Sequence, residues 1–173
     1  MGNTTVLTIG LAVLLGLFSL AANGLINDNQ ALSDQSEYYI TAFSLAQSII
    51  DEAKTKAFDQ VTITSPVTSP LSLTAPTLLG PDAGEAIPAP DSSSLRVYKS
   101  TKLFNDVDDY NGYVRLVNSP RANGYRLSVT VCYASPTCPD SILATQSYCK
   151  RMVVTVTSPY LPQPMSMEYG FIY

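Results

Sequence analysis

TTVLTIGLAVLLGLFSLAANGLI, from Thr4 to Ile26, is followed by no charged side chain until Asp28. As a helix, Val6 to Ile26 would rise about 32 Å, enough to cross a hydrocarbon core. Thr8, Gly10, Gly16, Ser19, Asn23 and Gly24 interrupt the run with small or polar groups. Such residues let helices approach closely, so burial among sister helices is expected as well as contact with lipid. A signal peptide or signal anchor normally carries Lys or Arg ahead of its apolar run, whereas the first basic residue here is Lys54. Ser19-Leu20-Ala21 offers a signal-peptidase site, which makes a cleaved signal peptide the competing reading.

The next segment argues for retention. From Tyr39, apolar side chains fall at Phe43, Ala46, Ile50, Ala53 and Ala57, a spacing that marks one helical face. Asp51, Glu52, Lys54 and Lys56 lie off that stripe, and Glu52–Lys56 is a favourable i,i+4 pair. No proline stands between Ile26 and Tyr39. The pattern predicts one helix from about Asn3 to Phe58, apolar on nearly all sides in its first half and amphipathic in its second. The amphipathic half rests on the protein's own domain; the apolar half must find lipid or other subunits.

The 173 residues suffice for one domain with one core. The chain has no histidine or tryptophan, and its net charge is −4. No basic stripe is present to follow a phosphate backbone, which argues against nucleic-acid binding. Without histidine there is no ordinary general base near neutral pH and no imidazole ligand, which argues against an enzyme.

Residues 60–94 hold six prolines and eleven Ser or Thr. That density predicts an extended surface connection without helix or central strand, with TITSPVTSPLSLTAPT as an O-glycan candidate beside the plainer reading of an unmodified loop. From Leu95 the alternation is strand-like: LRVYKSTKLF, then a hairpin in YVRLVNSPRANGYRLSVTVCY turning at Asn118–Gly124, then KRMVVTVTS and MSMEYGFIY. Leu127, Val129, Val131 and Tyr133 form one inward set, and Met152, Val154 and Val156 another.

The organisation expected is an apolar helix at 1–26, an amphipathic helix at 27–59, a surface loop at 60–94 and a sheet at 95–173. The fold class is α+β, an antiparallel sheet of about four strands laid on the second half of a long helix.

Cys132, Cys138 and Cys149 lack the paired spacing of a zinc knuckle, which favours a disulfide over zinc. Strand parity puts Cys132 and Cys149 on the same outer face, so their disulfide is predicted, with Cys138–Cys149 as the rival. Asp106, Asp108 and Asp109, beside Asn111 and Gly112, form a candidate Ca2+ site through oxygen ligands. The competing reading is an acidic turn whose side chains cap backbone amides. No other cofactor is indicated.

A long helix, apolar then amphipathic, followed by an irregular loop and an antiparallel sheet resembles the type IV pilin and pseudopilin family. FNDVDDYNGY (Phe104–Tyr113), YCKRMVVTVTSP (Tyr148–Pro159) and EYYITAFSLAQSIIDEAKTKAFDQ (Glu37–Gln60) resemble motifs of minor pilins similar to the mannose-sensitive haemagglutinin type. The resemblance implies a leader removed by a prepilin peptidase, anchorage in the inner membrane before assembly, and a homo-oligomeric helical filament on the cell surface. The implied assembly helix includes Met1, Thr5, Val6, Leu7, Ile9, Leu11, Leu14, Leu15, Leu17, Phe18 and Leu20. Thr5 stands where the family usually carries a glutamate. Local melting of this helix on assembly is implied at Gly16, Asn23 and Gly24, which weaken helix. The function expected is that of a structural filament subunit. The alternatives are a minor pilin or pseudopilin, and a membrane-tethered binding module.

Overall fold

A computed structural model describes residues 2–93 and 97–173; the side chains of residues 4–6 lie outside that description. The chain divides into two units, Met1–Tyr38 and Tyr39–Tyr173, each treated by itself below. Helix α1 spans Gly2–Ala53. The first unit is helix throughout its described length.

In the second unit, which we call the head, α1 buries Ala42, Ala46, Ile49, Ile50 and Ala53. These positions recur every three or four residues and form a single face. Two of the stripe residues expected from sequence behave differently. Phe43 is 55% exposed, because the inward face runs through Ala42 rather than its neighbour before continuing to Ala46, Ile49 and Ile50. Ala57 lies beyond the helix, which stops at Ala53 rather than Phe58. Past that point Ala57 N–H donates to the Asn105 carbonyl, and Val107 N–H donates to the Ala57 carbonyl, so the backbone leaves the helix to bridge to another segment.

The sheet has five strands in the order β1-β2-β3-β4-β5: Asp91–Ser92, Val114–Val117, Tyr125–Tyr133, Cys149–Thr157 and Met165–Ile172. The last four are antiparallel, and β1 runs parallel to β2. Strand alternation was read correctly. Leu127, Val129, Val131 and Tyr133 are buried along β3, and Met152, Val154 and Val156 along β4, while Arg126, Ser128 and Thr130 face out. The turn between β2 and β3 forms where expected. Asn118 Oδ1 accepts the Gly124 N–H at 2.9 Å, and Gly124 takes φ of 83°, which glycine adopts without steric cost.

Two expectations fail. The described part of LRVYKSTKLF forms no strand: Leu95 and Arg96 lie outside the described residues, and Ser100–Leu103 is a short helix, α3. The Asp91 carboxylate accepts the backbone N–H groups of Lys99 and Ser100, which satisfies donors at the start of a helical turn. The Pro-rich segment is likewise not free of helix. Gln60–Thr64 forms α2 behind a capping box in which the Asp59 side chain accepts Val61 N–H and Thr62 Oγ1 accepts Asp59 N–H. Pro70 and Pro76 each begin a single 3-10 turn, a position where the missing N–H costs nothing.

Phe104, Tyr110 and Tyr113 pack edge to face with centroids 4.9 to 5.9 Å apart, filling the end of the core beyond β2.

Ile49→Ala should destabilise the head by about 2–5 kcal/mol, whereas Phe43→Ala should change it by about 0.5 kcal/mol or less. Urea unfolding followed by tyrosine fluorescence measures both, and equal losses would contradict this assignment of the buried face.

Candidate functional site: the apolar helix and the polar core of the head

In the first unit, Leu7, Ile9, Leu11, Leu14, Leu15, Leu17, Phe18 and Leu20 are 60–75% exposed, and Leu25, Ile26 and Leu32 are exposed as well. Successive positions point around the whole helix, so the apolar surface is a cylinder rather than a stripe. The helix is long and apolar enough to cross a membrane, with none of its most apolar window buried. Of the residues assigned to assembly from the sequence, Met1 lies outside the described residues, as do the side chains of Thr5 and Val6. Gly16, Asn23 and Gly24 are helical in the isolated chain, and the glycines have nothing within 4 Å of where a Cβ would stand.

The head holds two buried polar networks. Lys150 on β4 is fully buried and shares the inward parity of Met152 and Val154. Its three N–H bonds are all taken, by the Phe58 carbonyl at 2.7 Å, Asp59 Oδ2 at 2.9 Å and Asp108 Oδ1 at 2.7 Å. The rings of Phe58 and Tyr133 lie 4.7 and 5.5 Å from the ammonium. Asp59 accepts further hydrogen bonds from Val61 N–H, Thr74 N–H, the Thr74 hydroxyl and the Tyr133 hydroxyl. Burial pushes the Asp59 carboxyl up, but the Lys150 charge and these bonds outweigh it and leave it below the usual range.

The second network centres on Glu52 of α1. It accepts from Arg115 Nη2 at 2.7 Å, the Ser100 hydroxyl at 2.7 Å and the Tyr110 hydroxyl at 2.9 Å. Arg115 Nε donates to the Tyr113 hydroxyl, which donates on to Asp91. Glu52 therefore points inward, away from the Lys56 partner expected from sequence. Lys56 instead donates to the Thr101 carbonyl.

Of the two readings of Asp106, Asp108 and Asp109, the contacts fit the amide-capping turn rather than the calcium site. Asp108 is occupied by Lys150, Asp109 accepts the N–H groups of Asn105 and Asp106, and Asp106 accepts the N–H of Asp109. Among the described residues no group of three or more acidic or cysteine side chains is placed to hold a metal ion. The triad is an amide-capping turn around a buried lysine. Burial, then the hydrogen bond and charge of Asp108, push the Asp106 carboxyl up to about 9, so it keeps its proton at neutral pH.

The disulfide expectation is corrected as well: Cys132, Cys138 and Cys149 are free thiols. Cys132 and Cys149 share a face, but the register pairs Cys132 with Arg151 and sets Cys149 opposite Ala134. They are diagonal neighbours, typically with Cβ atoms about 7 Å apart, beyond the roughly 4 Å that a disulfide needs. Cys149 is also buried, although its parity faces away from the core.

Sequence reading missed Lys150, Arg115 and Asp59. The first two had a readable signal, since each is a cation on the inward parity of an apolar strand. Comparison with protein-family models, with curated proteins and with solved structures finds no match to this chain.

Lys150→Met leaves Asp59 and Asp108 buried without their cation and should cost about 3–5 kcal/mol. Glu168→Gln removes one partner of the exposed Arg151 pair and should cost less than about 1 kcal/mol. Denaturant midpoints on the two variants check the contrast.

Asp106 supplies a pH signature. Its folded pKa lies above the unfolded value of 3.8, so its stabilisation is full below that value and is lost as pH rises towards about 9. Asp59 acts in the opposite sense, stabilising above its ordinary pKa and losing that contribution as pH falls through its lowered one. The melting temperature should peak in mild acid and decline towards pH 9, and Asp106→Asn should flatten the decline.

Proposed function

We propose that this chain is a structural subunit of an extracellular type IV pilus-like filament, anchored in the inner membrane before assembly and polymerising through its apolar helix. The observation that carries the reading is the all-round exposure of large apolar side chains along the first unit of α1, joined in one chain to an α+β head. Roughly 15 apolar side chains between Thr4 and Ile26, at about 1.5 kcal/mol each, give a gross burial term above about 20 kcal/mol. An apolar helix already satisfies its own backbone hydrogen bonds, so it suits both lipid and a bundle of sister helices. Much of the burial is realised in the membrane, and transfer into a filament therefore has a small net drive or one supplied by a motor.

The resemblance of FNDVDDYNGY to a minor-pilin motif supports a second reading, a subunit present in a few copies that primes assembly or recognises a ligand.

Electron microscopy of sheared cell-surface material, with quantitative mass spectrometry of the purified filaments, tests both. Thousands of copies per filament are expected for the first reading and a few for the second. Detection of the chain only as inner-membrane monomers would overturn both. Replacing residues 4–26 with an unrelated apolar span should abolish incorporation into filaments. Retained cell-surface function after that exchange would favour a membrane-tethered binding module.

A further inference from the structure

Residues 80–90 cross the head between two anchors. At one end the Asn111 side-chain amide donates to the Leu79 carbonyl at 2.9 Å. At the other, Asp91 enters β1 and accepts the Tyr113 hydroxyl. Most of the residues between are exposed, but Glu85 turns inward. Asn105 Nδ2 donates to Glu85 Oε1. Glu85 Oε2 and Asn105 Oδ1 are both buried and have no hydrogen-bond partner. Across from Glu85 stands the Asp109 carboxyl, whose Oδ2 is already fixed by the N–H groups of Asn105 and Asp106.

Glu85 Oε2 meets no donor here, and a single proton placed on it answers that oxygen, while Asn105 Oδ1 stays unanswered. The proton turns Glu85 Oε2 from an orphaned acceptor into a donor towards Asp109. We propose that residues 80–90 form a strap clasped to the head by a protonated Glu85 that shares its proton with Asp109, and that the strap lifts when this proton is lost.

The surroundings favour the clasp in acid. Asp82 lies on the strap itself, its N-terminal turn closed by a bond from Glu85 N–H to the Asp82 carbonyl. From the 105–109 turn comes Asp109, which faces Glu85 directly, while Asp108 of the same turn and Asp59 before α2 act on Asp82. The cation among these groups is Lys150 of β4, already committed to Asp59, Asp108 and the Phe58 carbonyl. An ionised Glu85 thus meets the negative charge of Asp109 and of Asp82. Burial first, then the hydrogen bond and charge of Asp109, raise the Glu85 carboxyl to about 7. Once the strap lifts, the side chain returns to the ordinary glutamate range near 4.5. The folded value is the higher one, so the clasp is fully present below about 4.5 and is lost as pH rises towards 7. Lifting the strap uncovers the 105–109 turn, which makes the accessible surface of the head pH-dependent without unfolding its sheet.

Hydrogen exchange of the full chain in detergent, corrected for intrinsic rates, tests the proposal at pH 5 and pH 8. The amide of residue 85, which donates to the Asp82 carbonyl, should lose protection on the order of fifty-fold between the two, as a group shifting between 4.5 and 7 requires. Amides of β3 serve as the internal reference for global opening and should lose less. Glu85→Gln keeps a neutral donor in place and should hold the ratio at residue 85 within about threefold. A wild-type amide at residue 85 that changes less than about threefold, or a Glu85→Gln chain that tracks the wild type, overturns the proposal. A carboxyl-carbon NMR titration of the unmodified chain gives a second reading. Glu85 should titrate near 7 together with its own amide, and titration near 4.5 overturns the clasp.

Discussion

The buried Lys150 ammonium is the point on which the head depends. It joins β4 to the Phe58–Asp59 backbone and to the turn at Asp108. These segments are far apart in sequence and share no strand pairing with β4. An ammonium withdrawn from water needs its three donors answered, and each is answered once. The site therefore permits one geometry of these segments and penalises others. Apolar burial alone is less selective, because Val154 and Met152 tolerate many neighbours of similar volume. Directional bonds around one buried charge select among those packings, and the resulting specificity need not appear as extra stability.

Glu52 plays the corresponding part at the helix. The apolar face of α1 in the head is dominated by alanine, and alanine methyls sense axial rotation weakly. Glu52 senses it strongly, because Arg115 from β2, Ser100 from α3 and Tyr110 all converge on its two oxygens. A turn of the helix by one residue would leave Arg115 buried and unpaired. The alanine face sets how close helix and sheet come, and the carboxylate sets the rotation. Both networks also explain why the Asp106–Asp109 turn is acidic without being a metal site. Its carboxylates replace backbone partners for amides that no strand or helix serves, and one of them balances Lys150.

Strand alternation and the apolar helix were legible because each rests on periodicity, which survives in the sequence whatever surrounds it. Leu127 through Tyr133 and Met152 through Val156 face inward as that rule requires. What escaped depends on contacts between distant residues. The helix at Ser100–Leu103 exists because Asp91 caps its first amides, and nothing within KSTKL announces that partner. The thiols of Cys132 and Cys149 were placed on the correct face, but the register that sets them diagonally follows from the whole β3–β4 pairing. Phe43 was assigned inward because the stripe settled on that bulky residue and passed over Ala42 beside it, although it correctly took in Ala46 and Ala53. Lys150 and Arg115 were visible in principle. A cation on the inward parity of a strand either breaks the strand or has a buried partner, and Asp59 and Glu52 are those partners.

The two units divide the physical work by kind of force. The head is specified by direction, through buried charges whose geometry tolerates little change. The first unit of α1 carries no charged side chain before Asp28, and its backbone bonds are internal to the helix. A segment held together in that way makes few demands on its surroundings beyond dryness. Under the proposed reading this indifference is useful, since the same surface must be satisfied first by lipid and later by sister helices. A helix with strong directional preferences would be trapped in whichever partner met them first. The small residues from Thr8 to Gly24 add close approach without adding such a preference, because van der Waals contact is available from lipid and protein alike. Selectivity in assembly must then come from the surfaces of the head, where exposed groups such as Ile40, Phe43 and Ile172 lie outside the core that its networks hold in register.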